Sequence, residues 1–178
     1  TTTGGSVKDE SFQYEAGGTA GGTMTPQIII SKVDYYNNQK KLVGAKFKLT
    51  EMVPEGDALK ETGTPYTGTT DADGKLTFGE GANLLDFDKV YRIQETQAPT
   101  GYVLDEKPHD VLFAKKQDDN NYPDYSDLIA KGVNIRYAST YTYTAPNHKG
   151  EIVVNKAFQN ADGSQMGNRN GTYRFGLF

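Results

Sequence analysis

From Gln27 onward apolar and polar residues alternate with period two, which predicts strands at about 27–34, 44–51, 74–79, 89–97, 109–116, 131–137 and 138–147. The breaks between them carry turn formers. Asn37-Asn38, Glu55-Gly56, Asp73-Gly74, Thr100-Gly101 and Lys131-Gly132 supply residues that start turns or tolerate positive φ. About seven short strands at this spacing predict an all-β protein, an antiparallel β-sandwich rather than a parallel sheet with crossover helices. One helical turn is expected, near 81–88.

The alternation is absent from residues 1–26, where Gly4, Gly5, Gly17, Gly18, Gly21 and Gly22 sit among Thr and Ser with an apolar interruption at Phe12 and Tyr14. Such a stretch reads as a linker or the end of a preceding domain. The sandwich is expected over 27–148. At 149–178 a second unit opens: Glu151-Ile-Val-Val-Asn-Lys156 repeats the shape of Ile28-Ile-Ile-Ser-Lys32. It has at most two strands, too few to close a core alone. The chain stops in an apolar alternating stretch at Phe178 and is expected to be a segment of something larger.

Composition narrows the function classes. In 178 residues there are 20 Gly, 12 Tyr, 8 Phe and no Trp, which favours strands and turns over long helices. A net charge of −4 with scattered lysines offers no basic face for a phosphate backbone, so nucleic acid is not an expected partner. No run approaches the ~18 apolar residues of a membrane span, so no membrane insertion is expected of this segment. The absence of Cys removes disulfides as a source of covalent stability.

Strand parity exposes three polar residues in the wrong place. Lys32 shares its face with Ile28 and Ile30, Glu95 with Tyr91 and Ile93, and Asn147 with Tyr141, Tyr143 and Ala145. A charge on a core-facing row neutralises or finds a partner. Burial lowers a lysine's pKa and raises that of a carboxylic acid. A neutral Lys32 amine is a nucleophile, and Glu95 in its acid form can polarise the Asn147 carboxamide and relay protons. Attack of amine on carboxamide expels ammonia and leaves an amide. The reaction is single-turnover and needs no cofactor.

These residues stand in recognisable stretches. Ile30-Ser-Lys32-Val-Asp34 followed by Leu42-Val-Gly-Ala45-Lys-Phe47-Lys-Leu49 resembles the opening of Cna B-type domains of Gram-positive surface adhesins and pilins. Tyr91-Arg-Ile-Gln-Glu95-Thr-Gln-Ala-Pro99-Thr-Gly101-Tyr102 resembles their E-box, and Ala145-Pro-Asn147-His-Lys-Gly150 is similar to the junction between modules. The resemblance covers about 27–148. It implies an immunoglobulin-like/prealbumin-like sandwich with a Lys32–Asn147 isopeptide bond promoted by Glu95, with Asn134 and Asn155 as alternative partners. The trailing unit resembles the start of a streptococcal-pilin-type isopeptide domain with Lys156 in the lysine position. Functionally, the resemblance implies a non-enzymatic stalk module, extracellular at the bacterial cell surface, with neighbouring modules of the same chain as partners.

Other features suggest other chemistry. The run Asp118-Asp-Asn-Asn-Tyr122-Pro-Asp-Tyr125 is a solvated loop or, in the alternative reading, an adhesin surface presenting Tyr122 and Tyr125 to a host extracellular-matrix protein or glycan. Asp71-Ala-Asp73-Gly74 lacks the later ligands of a calcium loop and reads as a tight turn. His109 and His148 lack companions at ligand spacing, so no metal is expected. No nucleophile–base–acid set suggests a hydrolase.

Overall fold

The computed structural model describes residues 24–151 and 159–164. Within them lie eight strands and one short helix: β1 (Gln27–Asp34), β2 (Lys46–Glu55), β3 (Ala58–Thr69), β4 (Lys75–Phe78), β5 (Val90–Gln97), β6 (His109–Phe113), α1 (Ser126–Ala130), β7 (Asn134–Arg136) and β8 (Thr140–Asn147). They form two sheets, one ordered β4-β1-β8 and the other β3-β2-β5-β6-β7. The strands are not wholly antiparallel: β1 runs parallel to β8, and β6 parallel to β7.

The alternating rows dictate this packing. Ile28 and Ile30 of β1 face Phe47 and Leu49 of β2, Ile93 of β5, and Val111 and Phe113 of β6, and together they form the core between the sheets. β6 is buried on both faces, because Leu112 points outward from the core into a second cluster with Met52, Val90, Ala114, Tyr125 and Val133. That cluster is covered by the 114–133 connection carrying α1, which explains why this stretch is longer than a minimal sandwich needs. On the sheet itself, Arg92 and Asp110 sit opposite each other and pair through two hydrogen bonds of 2.8 and 2.9 Å.

Two elements differ from the sequence expectation. β3 was not predicted: Ala58–Thr69 carries few apolar residues and includes Gly63, Pro65 and Gly68, which suits an exposed edge strand. The helical turn expected near 81–88 is two turns joined by irregular chain, and the helix lies instead at Ser126–Ala130. The Asp71–Gly74 motif is the tight turn expected. Asp71 Oδ1 accepts the backbone N–H of Asp73 and of Lys75, each at 2.9 Å. Gly74 there has φ +69°, and a Cβ on it would sit 2.6 Å from the Lys32 carbonyl oxygen. The turn can press against β1 at Lys32 only because residue 74 has no side chain.

Residues 1–23 and 165–178, and with them most of the proposed flanking segments, lie outside the described residues, as do Asn155 and Lys156.

Candidate functional site: a buried Lys–Glu–Asn cluster between the sheets

The three polar residues picked out by parity meet between the sheets. Lys32 is 0% exposed, Asn147 1% and Glu95 6%. Lys32 and Asn147 lie on β1 and β8 of the small sheet, and Glu95 reaches across from β5 of the large one. Lys32 Nζ approaches Glu95 Oε1 to 3.2 Å. Glu95 Oε2 accepts from Asn147 Nδ2 at 2.9 Å and from the backbone N–H of Asp105 at 2.8 Å. One carboxyl group thus faces the amine with one oxygen and the carboxamide with the other.

The apolar surroundings set the electrostatics. Phe47 lies beneath Lys32, with Nζ 5.6 Å from the ring centre, and Ile93 and Ala145 flank it. Burial pushes the Lys32 pKa below its ordinary value, opposed in part by the Glu95 carboxylate. A lysine held in this way is closer to the neutral amine that nucleophilic attack requires.

Asn147 is oriented by a loop that parity did not reveal. Its Nδ2 also donates to the Val103 carbonyl at 2.8 Å. A carbonyl only accepts, so the amide nitrogen must face Val103 and Glu95, leaving Oδ1 buried without a hydrogen-bond partner. The sequence expectation had Glu95 hydrogen-bonded to the carboxamide without choosing a side; the structure sets it against the nitrogen, which is the leaving group of a transamidation. The Val103 loop is held in turn. The backbone N–H of Val103 donates to the His148 carbonyl at 2.8 Å, and that of Gly150 to the Gly101 carbonyl at 2.8 Å. Tyr102 Oη donates to Asp34 Oδ2 at 2.8 Å, a hydrogen bond that holds the Asp34 carboxyl below the usual carboxylate range. The Pro99-Thr-Gly101-Tyr102 end of the E-box-like stretch is therefore a clasp over the end of β8.

The other candidates stand apart from the cluster. Asn134 is exposed on the edge strand β7 of the large sheet. Tyr125, expected to be displayed for a ligand, is 6% exposed; it packs in the outer cluster and its hydroxyl hydrogen-bonds Asp88 Oδ1. Tyr122 is half-buried and packs edge-on against Tyr137. His148 stacks on Tyr35 with ring centres 3.8 Å apart. His109, which the sequence brings up only as a metal ligand without companions, lines a cleft that also touches Lys32 and Glu95. Its parity with Val111 and Phe113 was a legible sign that it faces inward.

Fold and match together define a prealbumin-like β-sandwich domain. Residues 26–124 match the family model described as SpaA: Prealbumin-like fold domain, and the chain belongs to that family. No curated protein matches the chain. Similar solved structures include pilin and pilus-adhesin subunits. BcpA, the major pilin subunit of Bacillus cereus, is 25% identical over 71% of this chain and 31% of its own, with a TM-score of 0.42. The major pilin SpaD from Corynebacterium diphtheriae is 18% identical over 70% and 30%, at 0.47. The C-terminal fragment of pilus adhesin SpaC from Lactobacillus rhamnosus GG is 21% identical over 73% and 47%, at 0.47. The match thus spans less than half the length of each of these proteins.

Proposed function

We propose that residues 27–148 form a self-cross-linking stalk module of a Gram-positive surface adhesin or pilus, joined by an isopeptide bond between Lys32 Nζ and Asn147 Cγ. The observation that carries this reading is the single carboxyl of Glu95, 3.2 Å from the Lys32 amine through Oε1 and 2.9 Å from the Asn147 amide nitrogen through Oε2. The neutral amine attacks the carboxamide carbon. Glu95 takes a proton from the attacking nitrogen and delivers one to the departing nitrogen, so the Cγ–Nδ2 bond breaks, the Nζ–Cγ bond forms and ammonia leaves. Each chain reacts once, so the module is not an enzyme in the turnover sense.

The resulting role is mechanical and protective. Residues 149–178 are read as the opening of the next module, with neighbouring modules as partners and the extracellular cell surface as the location. The burial of Tyr125 favours this reading over the rival one, an adhesin loop at 117–128.

The test is the intact mass of the purified chain beside its Glu95→Ala variant, with peptide mapping for a Lys32–Asn147 linkage. A deficit of one ammonia in the parent and none in the variant is expected. The full calculated mass in the parent would overturn the reading.

A further inference from the structure

Transamidation in a dry core must dispose of ammonia, and of a proton as well when Lys32 begins as the ammonium. The structure has a cleft placed for this. A cavity of about 10 Å³, measured as the space open to a water's centre and so barely enough for one small molecule, lies against Lys32, Glu95, Asp105, Lys107, His109 and Tyr143. Its lining grades from interior to solvent. The side chains of Lys32 and Glu95 are 1% and 2% exposed, those of His109 and Asp105 33% and 37%, and Lys107 is exposed.

Buried polar atoms short of hydrogen-bond partners converge on this cleft. His109 Nε2 is buried without a hydrogen-bond partner, and beside it in the lining Lys32 Nζ and Glu95 Oε1 have only each other, at 3.2 Å. Such atoms are costly in a folded protein unless a small polar molecule or a chemical role accounts for them. His109 is held in place by its ring, which packs on Tyr143 with centres 4.6 Å apart. Asp105 lies beside it, with Oδ2 4.0 Å from Nε2, while its backbone N–H fixes Glu95 Oε2.

We propose that this cleft is the port through which the ammonia and the lysine's proton leave, and that His109 Nε2 is the hydrogen-bonding group that hands them outward. The inference rests on the isopeptide reading. The balance is that of the bond-forming step: the leaving nitrogen departs as ammonia with a proton relayed by Glu95, and an ammonium form of Lys32 sends its extra proton out with it as ammonium. His109 touches neither reacting carbon nor nitrogen and is a positioning residue.

The test monitors cross-linking in the full chain as it is made. Chain labelled in a short pulse of cell-free translation is chased, denatured and separated on a gel that resolves cross-linked from open chain, with the assignment checked by mass. His109→Phe keeps a ring against Tyr143 and removes Nε2; His109→Gln restores a polar terminus. Cross-linking in His109→Phe is expected to be slowed roughly tenfold, on the order of what one lost hydrogen bond is worth, with His109→Gln recovering most of the parent rate. Urea midpoints of both variants on the Glu95→Ala background separate a rate effect from a folding defect. His109→Phe cross-linking at the parent rate, or His109→Gln as slow as His109→Phe, would overturn the proposal while leaving the isopeptide reading intact. A parent chain that never cross-links fails the isopeptide reading itself.

Discussion

Lys32 and Asn147 sit on neighbouring parallel strands two residues out of register: Lys32 is opposite Ala145, and Asn147 is opposite Asp34. Both side chains therefore enter the sandwich on the same face, one step apart along the strand axis. The two strands are the first and last among the described residues. A covalent link here closes a loop spanning nearly the whole module and ties the point where the chain enters to the point where it leaves, so tension along the chain would bypass the hydrogen bonds of the core.

That geometry predicts a large stability difference. Closing a loop of roughly a hundred residues is worth about 5 kcal/mol through the entropy of the unfolded chain. For a domain of this size that corresponds to a Tm on the order of 15 °C higher. Asn147→Ala removes the proposed bond together with the contacts to Glu95 and Val103, so its Tm should fall by at least that amount, and it should be digested by protease at temperatures where the parent resists. Differential scanning calorimetry and timed proteolysis check this; matched melting curves would contradict it.

The buried pair makes a second prediction, independent of the bond. With Asn147→Ala as the open-chain reference, adding Glu95→Ala strands the Lys32 amine in an apolar site, and breaking a buried pair in this way costs about 3–5 kcal/mol. Adding Lys32→Met together with Glu95→Leu removes both charges and should cost much less. Urea unfolding of the three chains should therefore place the charge-free chain above the one with a lone lysine, although it carries more substitutions.

The site was legible because a strand's period of two leaves no ambiguity about which side a residue faces. Lys32, Glu95 and Asn147 each broke an apolar row, and all three are found on the buried face. The same test applied to His109 would have put it beside them. The parts that parity could not reach are backbone-borne or non-periodic. The Val103 carbonyl and Asp105 N–H that orient Asn147 and Glu95 leave no mark in side-chain pattern. β3 was missed because an exposed edge strand has no buried row to show, and α1 because five residues are too few to display a helical period.

The lowered pKa of Lys32 gives a pH dependence with a definite sign. In the open chain the folded state releases the Lys32 proton at lower pH than the unfolded state, whose lysine titrates near 10.4. Between the two values the unfolded state binds more protons, so stability rises with pH across that window; below it the desolvation penalty is complete and constant. Unfolding free energies of Asn147→Ala, measured from pH 7 to 10 against the same chain carrying Lys32→Met, should show this rise. A flat difference would mean that Lys32 is not desolvated.

The outer cluster is predicted to matter for stability and not for cross-linking. Asp88 takes φ +59°, a left-handed conformation that Asp tolerates better than most residues, and from there its Oδ1 accepts both the Tyr125 hydroxyl and the Lys115 backbone N–H. This ties the 114–133 connection to the turn before β5. Burial, reinforced by the Asp88 carboxylate, pushes the Tyr125 hydroxyl above its ordinary pKa, so the group remains a donor throughout the physiological range. Tyr125→Phe keeps the ring in the cluster and deletes that donor. On the Asn147→Ala background it should lower stability by roughly 0.5–1.5 kcal/mol, read as a shift of the urea midpoint at unchanged slope. On the parent background the one-ammonia mass deficit should persist in full. If Tyr125→Phe instead abolished the deficit, the 114–133 connection would be part of what brings Lys32 and Asn147 together, and the separation of the two clusters would have to be abandoned.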